Sequence, residues 1–312
     1  MTSVQISVGD CIESMRDMPD CSVQCCVTSP PYWGLRDYGH EGQIGLEATP
    51  EDYVERIVAV FREVRRVLRE DGTCWVNLGD SYAANRTYQV TPTKWKALSQ
   101  GQSASVPPGL KPKDLVGIPW RVAFALQADG WWLRQDLIWH KPNPMPESVR
   151  DRCTKAHEYL FLLTKSARYY YDAESIKEQA VSDHPSGNGY KRGARKSYQN
   201  ADGTPRGNEK QWTGVGGTRN CRSVWTVTTK PYRGAHFAVM PPDLVEPCIK
   251  AGSREGDTVL DPFAGSGTTL AVSMELGRNA VGCELNSDYA NLAQERIQSV
   301  KVKTPLFQGG SE

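Results

Sequence analysis

The chain has 312 residues, 39% hydrophobic and 23% charged, an ordinary composition for a soluble globular protein of one large domain with insertions or of two domains. No apolar run approaches the length of a membrane span, and the opening MTSVQISVGD lacks a basic stretch followed by an apolar one, so membrane association is not expected and a cytoplasmic location is. Against 37 Lys and Arg stand 36 Asp and Glu, a net charge of +1, which excludes a uniformly basic surface and makes any footprint for a polyanion local.

Val4, Ile6 and Val8 alternate with polar residues and predict a strand ended by Gly9-Asp10, with a short helix around Ile12 and Met15. Val23 to Val27 is an apolar run that reads as a buried strand, stopped shortly after by Pro30-Pro31. Thr49-Pro50-Glu51-Asp52 is a helix start, with Thr as cap, Pro at the first helical position and an acid three residues after the cap. Val54, Ile57, Phe61, Val64 and Leu68 share one helical face, and Asp71-Gly72 is expected to end that helix before a strand over Thr73 to Leu78. Leu115 to Ala128 predicts a helix, and Leu133 to Trp139 and Glu158 to Thr164 predict strands. Further helices are expected over Leu244 to Ala251, Thr268 to Leu276 and Tyr289 to Val300, and strands over Thr258 to Leu260 and Ala280 to Glu284. Alternating strands and helices predict an α/β fold, doubly wound around a mainly parallel sheet.

Two stretches break the pattern. Residues 84–113 are rich in Ser, Thr, Gln, Pro and Lys, the composition of a functional loop or of a disordered one, and Lys94 and Lys96 are candidate phosphate contacts. Residues 172–232 are glycine-rich and carry more basic than acidic residues; Lys191, Arg192, Arg195 and Lys196 make this the local basic footprint. The nine cysteines include no Cys-x-x-Cys pair, and Cys21, Cys25 and Cys26 have no second ligand pair at metal spacing, so buried thiols and no metal are expected.

Two motifs carry chemistry. Thr28-Ser29-Pro30-Pro31-Tyr32-Trp33 leaves a buried strand as a stiff loop with a hydroxyl, carbonyls and two flat apolar faces, the parts needed to hold one planar, amino-bearing base. Val259 to Thr269, VLDPFAGSGTT, reads as strand, glycine loop and helix, a cradle in which glycines admit a ligand close to the backbone and a helix start favours an anion. A nicotinamide dehydrogenase is the competing reading of the second motif, but Gly265-Ser266-Gly267 lacks the third glycine of that fingerprint and too little chain follows.

Together the two resemble the amino-methyltransferases of DNA, which use S-adenosylmethionine to methylate N4 of cytosine or N6 of adenine. The catalytic motif comes first here, as in the circularly permuted subgroup often called beta. The resemblance implies a seven-stranded, Rossmann-like methyltransferase sheet made of a catalytic half (1–171), a target-recognition insertion (172–232), a cofactor half (233–303) and a tail (304–312). It implies catalytic roles for Ser29, Pro30, Pro31 and Tyr32. It implies cofactor contacts from Asp10, His236, Asp261, Phe263, Gly265, Gly267, Thr268 and Glu284, with Asp261 meeting the ammonium and Glu284 the ribose hydroxyls. DNA contacts are expected from Trp33, Arg36 and the lysines and arginines of the two insertions. Double-stranded DNA is the implied partner, with a cognate restriction endonuclease acting separately. Members with Ser at the first loop position usually take cytosine, which points to N4-methylcytosine with N6-methyladenine as runner-up. Pro247-Cys248 resembles the nucleophile motif of carbon-5 methylation, but its surroundings read as an amphipathic helix. A regulator that binds DNA and cofactor without turnover is the reading from another class.

If the basic insertion reads DNA, deleting about residues 185–218 abolishes specific binding and leaves a cofactor-competent core, because the segment adds few apolar residues. Binding by the full chain then weakens steeply with salt in a filter or fluorescence assay. A flat salt dependence returns the segment to an ordinary solvated loop.

Overall fold

In the computed structural model, which describes residues 2–35, 37, 39–40, 42–83, 106–179, 218–229 and 239–300, the alternation at the start forms strand β1 (Val4–Val8). Asp10 then caps helix α1 (Cys11–Arg16), its carboxylate accepting from the Ile12 and Glu13 amides at 2.9 and 3.1 Å. Strand β2 (Val23–Thr28) is buried at every position, as a strand flanked on both edges and covered on both faces must be. Helix α2 (Pro50–Val67) starts where the sequence predicts, with Thr49 accepting from the Asp52 amide at 3.1 Å, and it buries Tyr53, Ile57, Val60, Phe61, Val64 and Val67.

Strand β3 (Leu68–Leu78) corrects one expectation. Asp71-Gly72 does not separate helix from strand but lies inside the strand, which begins at Leu68. The cause is tertiary: Leu68 pairs with Val23 of β2, and that pairing takes the backbone out of the helix earlier than propensity would. Helix α3 (Ile118–Ala128) also starts later than predicted. Leu115 forms an isolated bridge with Tyr82, Gly117 turns the chain at φ 78°, and Asp80 accepts from the Gly117 and Ile118 amides at 2.9 and 3.0 Å.

Strands β4 (Trp132–His140) and β5 (His157–Thr164) follow. The remaining elements are β6 (Glu178–Gln179), β7 (Thr218–Arg219), β8 (Val224–Thr226), α4 (Pro242–Gly252), β9 (Thr258–Asp261), α5 (Thr268–Glu275), β10 (Asn279–Glu284) and α6 (Ser287–Gln298). The sheet order is β1-β10-β9-β2-β3-β5-β4-β8, eight strands among the described residues rather than seven. The eighth is β8, which pairs with β4 through Val224 to Thr226 and so draws part of the 172–232 stretch into the sheet. Strand β5 runs antiparallel to both of its neighbours, and the other pairings of this sheet are parallel. Among the described residues no helix is long and apolar enough to cross a membrane.

The chain divides into two compact units. One is Ile176–Cys221, narrower than the insertion read from composition. Its described part is the antiparallel pair β6 and β7, closed by Arg219 on Glu178 at 2.9 Å. The other unit holds the sheet and its helices.

Cysteines 11, 25, 26, 74, 248 and 283 are buried, and Cys21 and Cys153 are exposed. Burial pushes the Cys25 thiol up to about 12, which leaves it unreactive at neutral pH. Cys248 sits inside α4 with its thiol on the Leu244 carbonyl at 3.3 Å, a packing position and not a nucleophile's.

Strands β2 and β9 are neighbours, with Cys25 opposite Val259 and Cys26 opposite Leu260. Just beyond that pairing the Thr28 hydroxyl donates to Asp261 at 2.7 Å, both residues buried. Replacing Thr28 by Val keeps the shape and removes the donor to a buried carboxyl group. Urea unfolding of Thr28→Val is expected to show a loss of about 1.5–3 kcal/mol, and Thr28→Ser to retain most of the stability.

Candidate active site

Strands β1, β10, β9, β2, β3 and β4 bring their carboxyl ends to one edge of the sheet, and the antiparallel β5 brings its first residues there. Open α/β sheets bind ligands at this edge, where strand order reverses. Here the loops enclose a cavity of about 720 Å³, the size of a small-molecule site. Asp10, Ser29, Pro30, Pro31, Tyr32, Asp261, Phe263, Gly265, Thr268 and Glu284 all line it. The two motifs, far apart in sequence, therefore share one space.

On the β2 side the proline loop is tied down. The Pro31 carbonyl accepts from the Tyr53 hydroxyl at 2.9 Å, and the Tyr32 carbonyl from the Leu35 amide at 3.3 Å. The Tyr32 ring lies so close to Gly79 that a Cβ there would sit 2.5 Å from a ring carbon, so glycine is the residue that lets the ring in. Its hydroxyl is 2.7 Å from Glu158 Oε2 and 3.0 Å from Asn77 Oδ1. Burial, reinforced by the Glu158 charge, pushes the Tyr32 phenol well above its ordinary range, so it keeps its proton. Lys141 pairs with the other Glu158 oxygen and lies 4.1 Å from the Trp139 ring centroid.

Asn77, Lys141 and Glu158 were not among the residues that the sequence singled out. Each is polar at the end of an otherwise apolar strand: Asn77 in TCWVNL, Glu158 at the head of EYLFLLT, and Lys141 just after Trp139-His140. That pattern is a readable signal once the strand ends are known to share an edge. Trp33 corrects the expectation of a second flat face. It packs against the core with its indole donating to the Glu47 carbonyl at 3.0 Å, and it does not line the cavity.

On the β9 side Gly265 adopts φ 52°, a conformation that disfavours any side chain, with no atom nearer than 4.0 Å to an added Cβ. Gly267 precedes α5 as its cap and packs on Ala293, outside the lining. Thr268 accepts from Arg296 at 2.8 Å, which fixes the loop to α6. Glu284 accepts from the Gly265 and Asn286 amides, both at 2.8 Å. Burial raises its carboxyl above the usual range. Asp261 is raised to about 6, by burial first, with the hydrogen bonds from the Thr28 hydroxyl and the Phe263 amide opposing.

Two carboxyl groups, a glycine loop, a helix start and the apolar Phe263, Leu285 and Tyr289 fit a ligand that carries an ammonium, a carboxylate, ribose hydroxyls and a flat ring. Val239 and Met240, the described end of the segment from His236 to Pro241, line the same cavity. His236, Arg36, Lys94, Lys96, Lys191, Arg192, Arg195 and Lys196 lie outside the described residues. Among the described residues no group of three or more His, Cys, Asp or Glu is placed to hold a metal ion.

A family model described as DNA methylase matches residues 23–295. The Type II methyltransferase M.SmaI of Serratia marcescens is 50% identical over 298 residues, 95% of this chain and 91% of that protein. A protein of Thermus thermophilus solved in complex with S-adenosyl-L-methionine shares the fold at TM-score 0.59 and 24% identity, over 95% of this chain and 94% of that one. The PvuII DNA methyltransferase, described as cytosine-N4-specific, shares it at TM-score 0.64 and 17% identity, over 97% and 89%.

Asp261 gives a pH test. An ammonium binds its ionised form, so between about pH 6 and pH 5 the group must first lose a proton, at about 1.4 kcal/mol per unit. Affinity for S-adenosylmethionine, followed by calorimetry from pH 5 to 7 where the ammonium stays charged, is expected to be level near pH 7 and to weaken below about 6. In Asp261→Asn the affinity is lower and the inflection is gone; a persisting inflection assigns it to Glu284 instead.

Proposed function

The chain belongs to the N6- and N4-directed DNA methylase family, whose members use S-adenosyl-L-methionine, and within that family we propose that this protein methylates the N4 amino group of cytosine in a specific double-stranded DNA sequence, with the target base flipped into the cavity. What supports the reading is one juxtaposition: the hydroxyl of Ser29 and the carboxyl groups of Asp261 and Glu284 line a single cavity, because β2 and β9 are adjacent.

S-adenosylmethionine supplies a methyl group on a sulfonium. The remaining task is to position and polarise a weakly nucleophilic amine whose lone pair is delocalised into the ring. Ser29 and the Pro30 carbonyl hydrogen-bond the amino group and turn its lone pair out of the ring plane. Tyr32, fixed by Gly79 and Glu158, presents its ring to the base. No strong base is required beforehand, because the amine becomes acidic once alkylated. Asp261 and Glu284 hold the cofactor's ammonium and ribose. The basic residues of the 172–232 stretch read the DNA, and a restriction endonuclease of the same specificity acts separately on unmodified sites.

Ser29 in place of a carboxylate favours cytosine, and the neighbour described as cytosine-N4-specific has the same fold. Nucleoside mass spectrometry of DNA methylated in vitro is expected to show N4-methyl-2′-deoxycytidine. N6-methyl-2′-deoxyadenosine in its place moves the target to adenine, and no transferred label at all favours a binding protein without turnover. Ser29→Ala is expected to lower turnover about 100-fold or more while cofactor affinity stays within about threefold, since Ser29 meets the base and not the cofactor.

A further inference from the structure

The loop between β4 and β5, residues 141–156, leaves the sheet at the edge where the cavity lies, and Lys141 and Asn143 near its start line that cavity. The loop is tied down on both sides of Met145. At its root the Lys141 amide donates to the Ala156 carbonyl at 2.8 Å. Before Met145, the Asn143 side chain donates to the Thr229 carbonyl at 3.2 Å and accepts from the Thr229 amide at 3.1 Å. After it, Glu147 accepts from the Arg152 guanidinium at 2.7 Å and from the Lys155 amide at 3.1 Å, and that guanidinium lies 4.0 Å from the Tyr82 ring centroid. Pro142, Pro144 and Pro146 fix φ at three more positions. Between these ties Met145 is 86% exposed, the most exposed of the large hydrophobic residues among those described. It does not line the cavity, but Asn143, two residues earlier and at most about 7 Å away along the backbone, does. A scattered apolar residue at a surface needs no explanation. This one is held out in water by a braced loop at the rim of an active site.

We propose that Met145 is the wedge that enters the DNA duplex as the target base leaves it, taking the vacated place in the stack. The inference rests on the base-flipping reading above. A flipped base stays attached to its strand, so the duplex must lie across the mouth of the cavity, and the rim faces the gap that the base has left. That gap is bounded above and below by the flat faces of the neighbouring bases. An unbranched thioether adapts to a gap of irregular shape, and methionine is among the side chains that part base steps. Ser148 and Arg150, exposed further along the same loop, bring a hydroxyl and a cation of the kind that meets phosphate. One side chain is too little surface to seat a protein partner. The slot exists only while the base is out, so insertion stabilises the extruded state alone. Met145 therefore acts on the extrusion equilibrium and not on the cofactor or the amine, and it does so for cytosine and adenine alike.

The test uses the full chain and a duplex carrying the sequence that the wild-type protein methylates, mapped on treated genomic DNA by modification-sensitive sequencing. Single-turnover transfer of labelled methyl from S-adenosylmethionine is measured at saturating protein, on this duplex and on one that lacks the base opposite the target. On the paired duplex Met145→Ser is expected to be slower by about tenfold or more, with cofactor affinity within about threefold of wild type. Met145→Leu keeps an apolar side chain of similar volume and is expected to stay within about threefold on the same duplex. On the second duplex no pairing opposes extrusion, the base is mostly out even without the wedge, and the Met145→Ser deficit is expected to shrink to about threefold or less. A residue that merely touches the DNA gives the same deficit on both. Equal deficits, or a Met145→Ser rate equal to wild type on the paired duplex, overturn the proposal. Should the wild type not act on the second duplex, Met145→Leu decides: a rate near wild type supports the wedge, and a loss equal to that of Met145→Ser overturns it. A wild-type protein that transfers no methyl to DNA refutes the functional reading itself, which an active wild type with equal deficits does not.

Discussion

The arrangement depends on one hydrogen bond and the strand pairing beneath it. Thr28 donates to Asp261 across 233 residues of sequence, at the point where β2 and β9 run side by side. Neither loop defines a site alone. The proline loop has a hydroxyl and a ring but nothing to bind a charged cofactor; the glycine loop has carboxyl groups but nothing to hold a base. Their meeting requires that two strands from opposite ends of the chain be neighbours, and the buried Thr28–Asp261 contact fixes that neighbourhood at its open end. Thr269 adds a second tie, its hydroxyl on the Val27 carbonyl at 3.2 Å, so α5 is fastened to the partner strand as well as to its own. Burial raises the Asp261 carboxyl while the Thr28 hydroxyl draws it down, so one group serves both as a structural acceptor and as a candidate partner for a cation.

Much of this was legible in the sequence wherever the physics is local. The cap at Thr49, the alternation in β1, the apolar run of β2 and the strand–glycine loop–helix from Thr258 each follow from a few adjacent residues, and each forms as read. What was not legible came from pairing across the sheet. The early start of β3 is imposed by Val23 opposite Leu68. The reversal of β5 follows from its ladder with β3 and β4, since an apolar octapeptide reads the same in either direction. Asn77 and Glu158 belong to the site for the same reason. Asn77 lies opposite Leu160 and Glu158 opposite Trp139, and only that register brings both side chains to Tyr32. Trp33 differs in the other direction: an aromatic beside the proline loop reads as a second face of the pocket, yet its indole found a backbone carbonyl and the core.

The site is accordingly built in two styles. On the cofactor side backbone does most of the holding: amides on Glu284, a glycine in a left-handed turn, a helix start. On the proline-loop side side chains do most of it, in a chain from Asn77 through Tyr32 and Glu158 to Lys141. Backbone scaffolds tolerate changes of side chain around them. Side-chain networks do not, because each member's proton assignment depends on its neighbour's. Substitutions near the proline loop therefore act on proton positions as well as on shape.

The pairing of β2 with β9 also has a consequence for synthesis. Strand β2 and its neighbour β3 leave the ribosome long before β9 and β10 are made. Until they arrive, β2 has an apolar edge with no partner, the kind of edge that recruits strands from other molecules. Contacts this distant in sequence are slow to close, and the late partner must find its place within a preformed half-sheet. The nascent protein thus passes through a stage in which the proline loop exists without the glycine loop and the most buried strand of the fold is its most exposed. Holding that edge apart from neighbouring chains is a task for whatever attends the protein before it is complete.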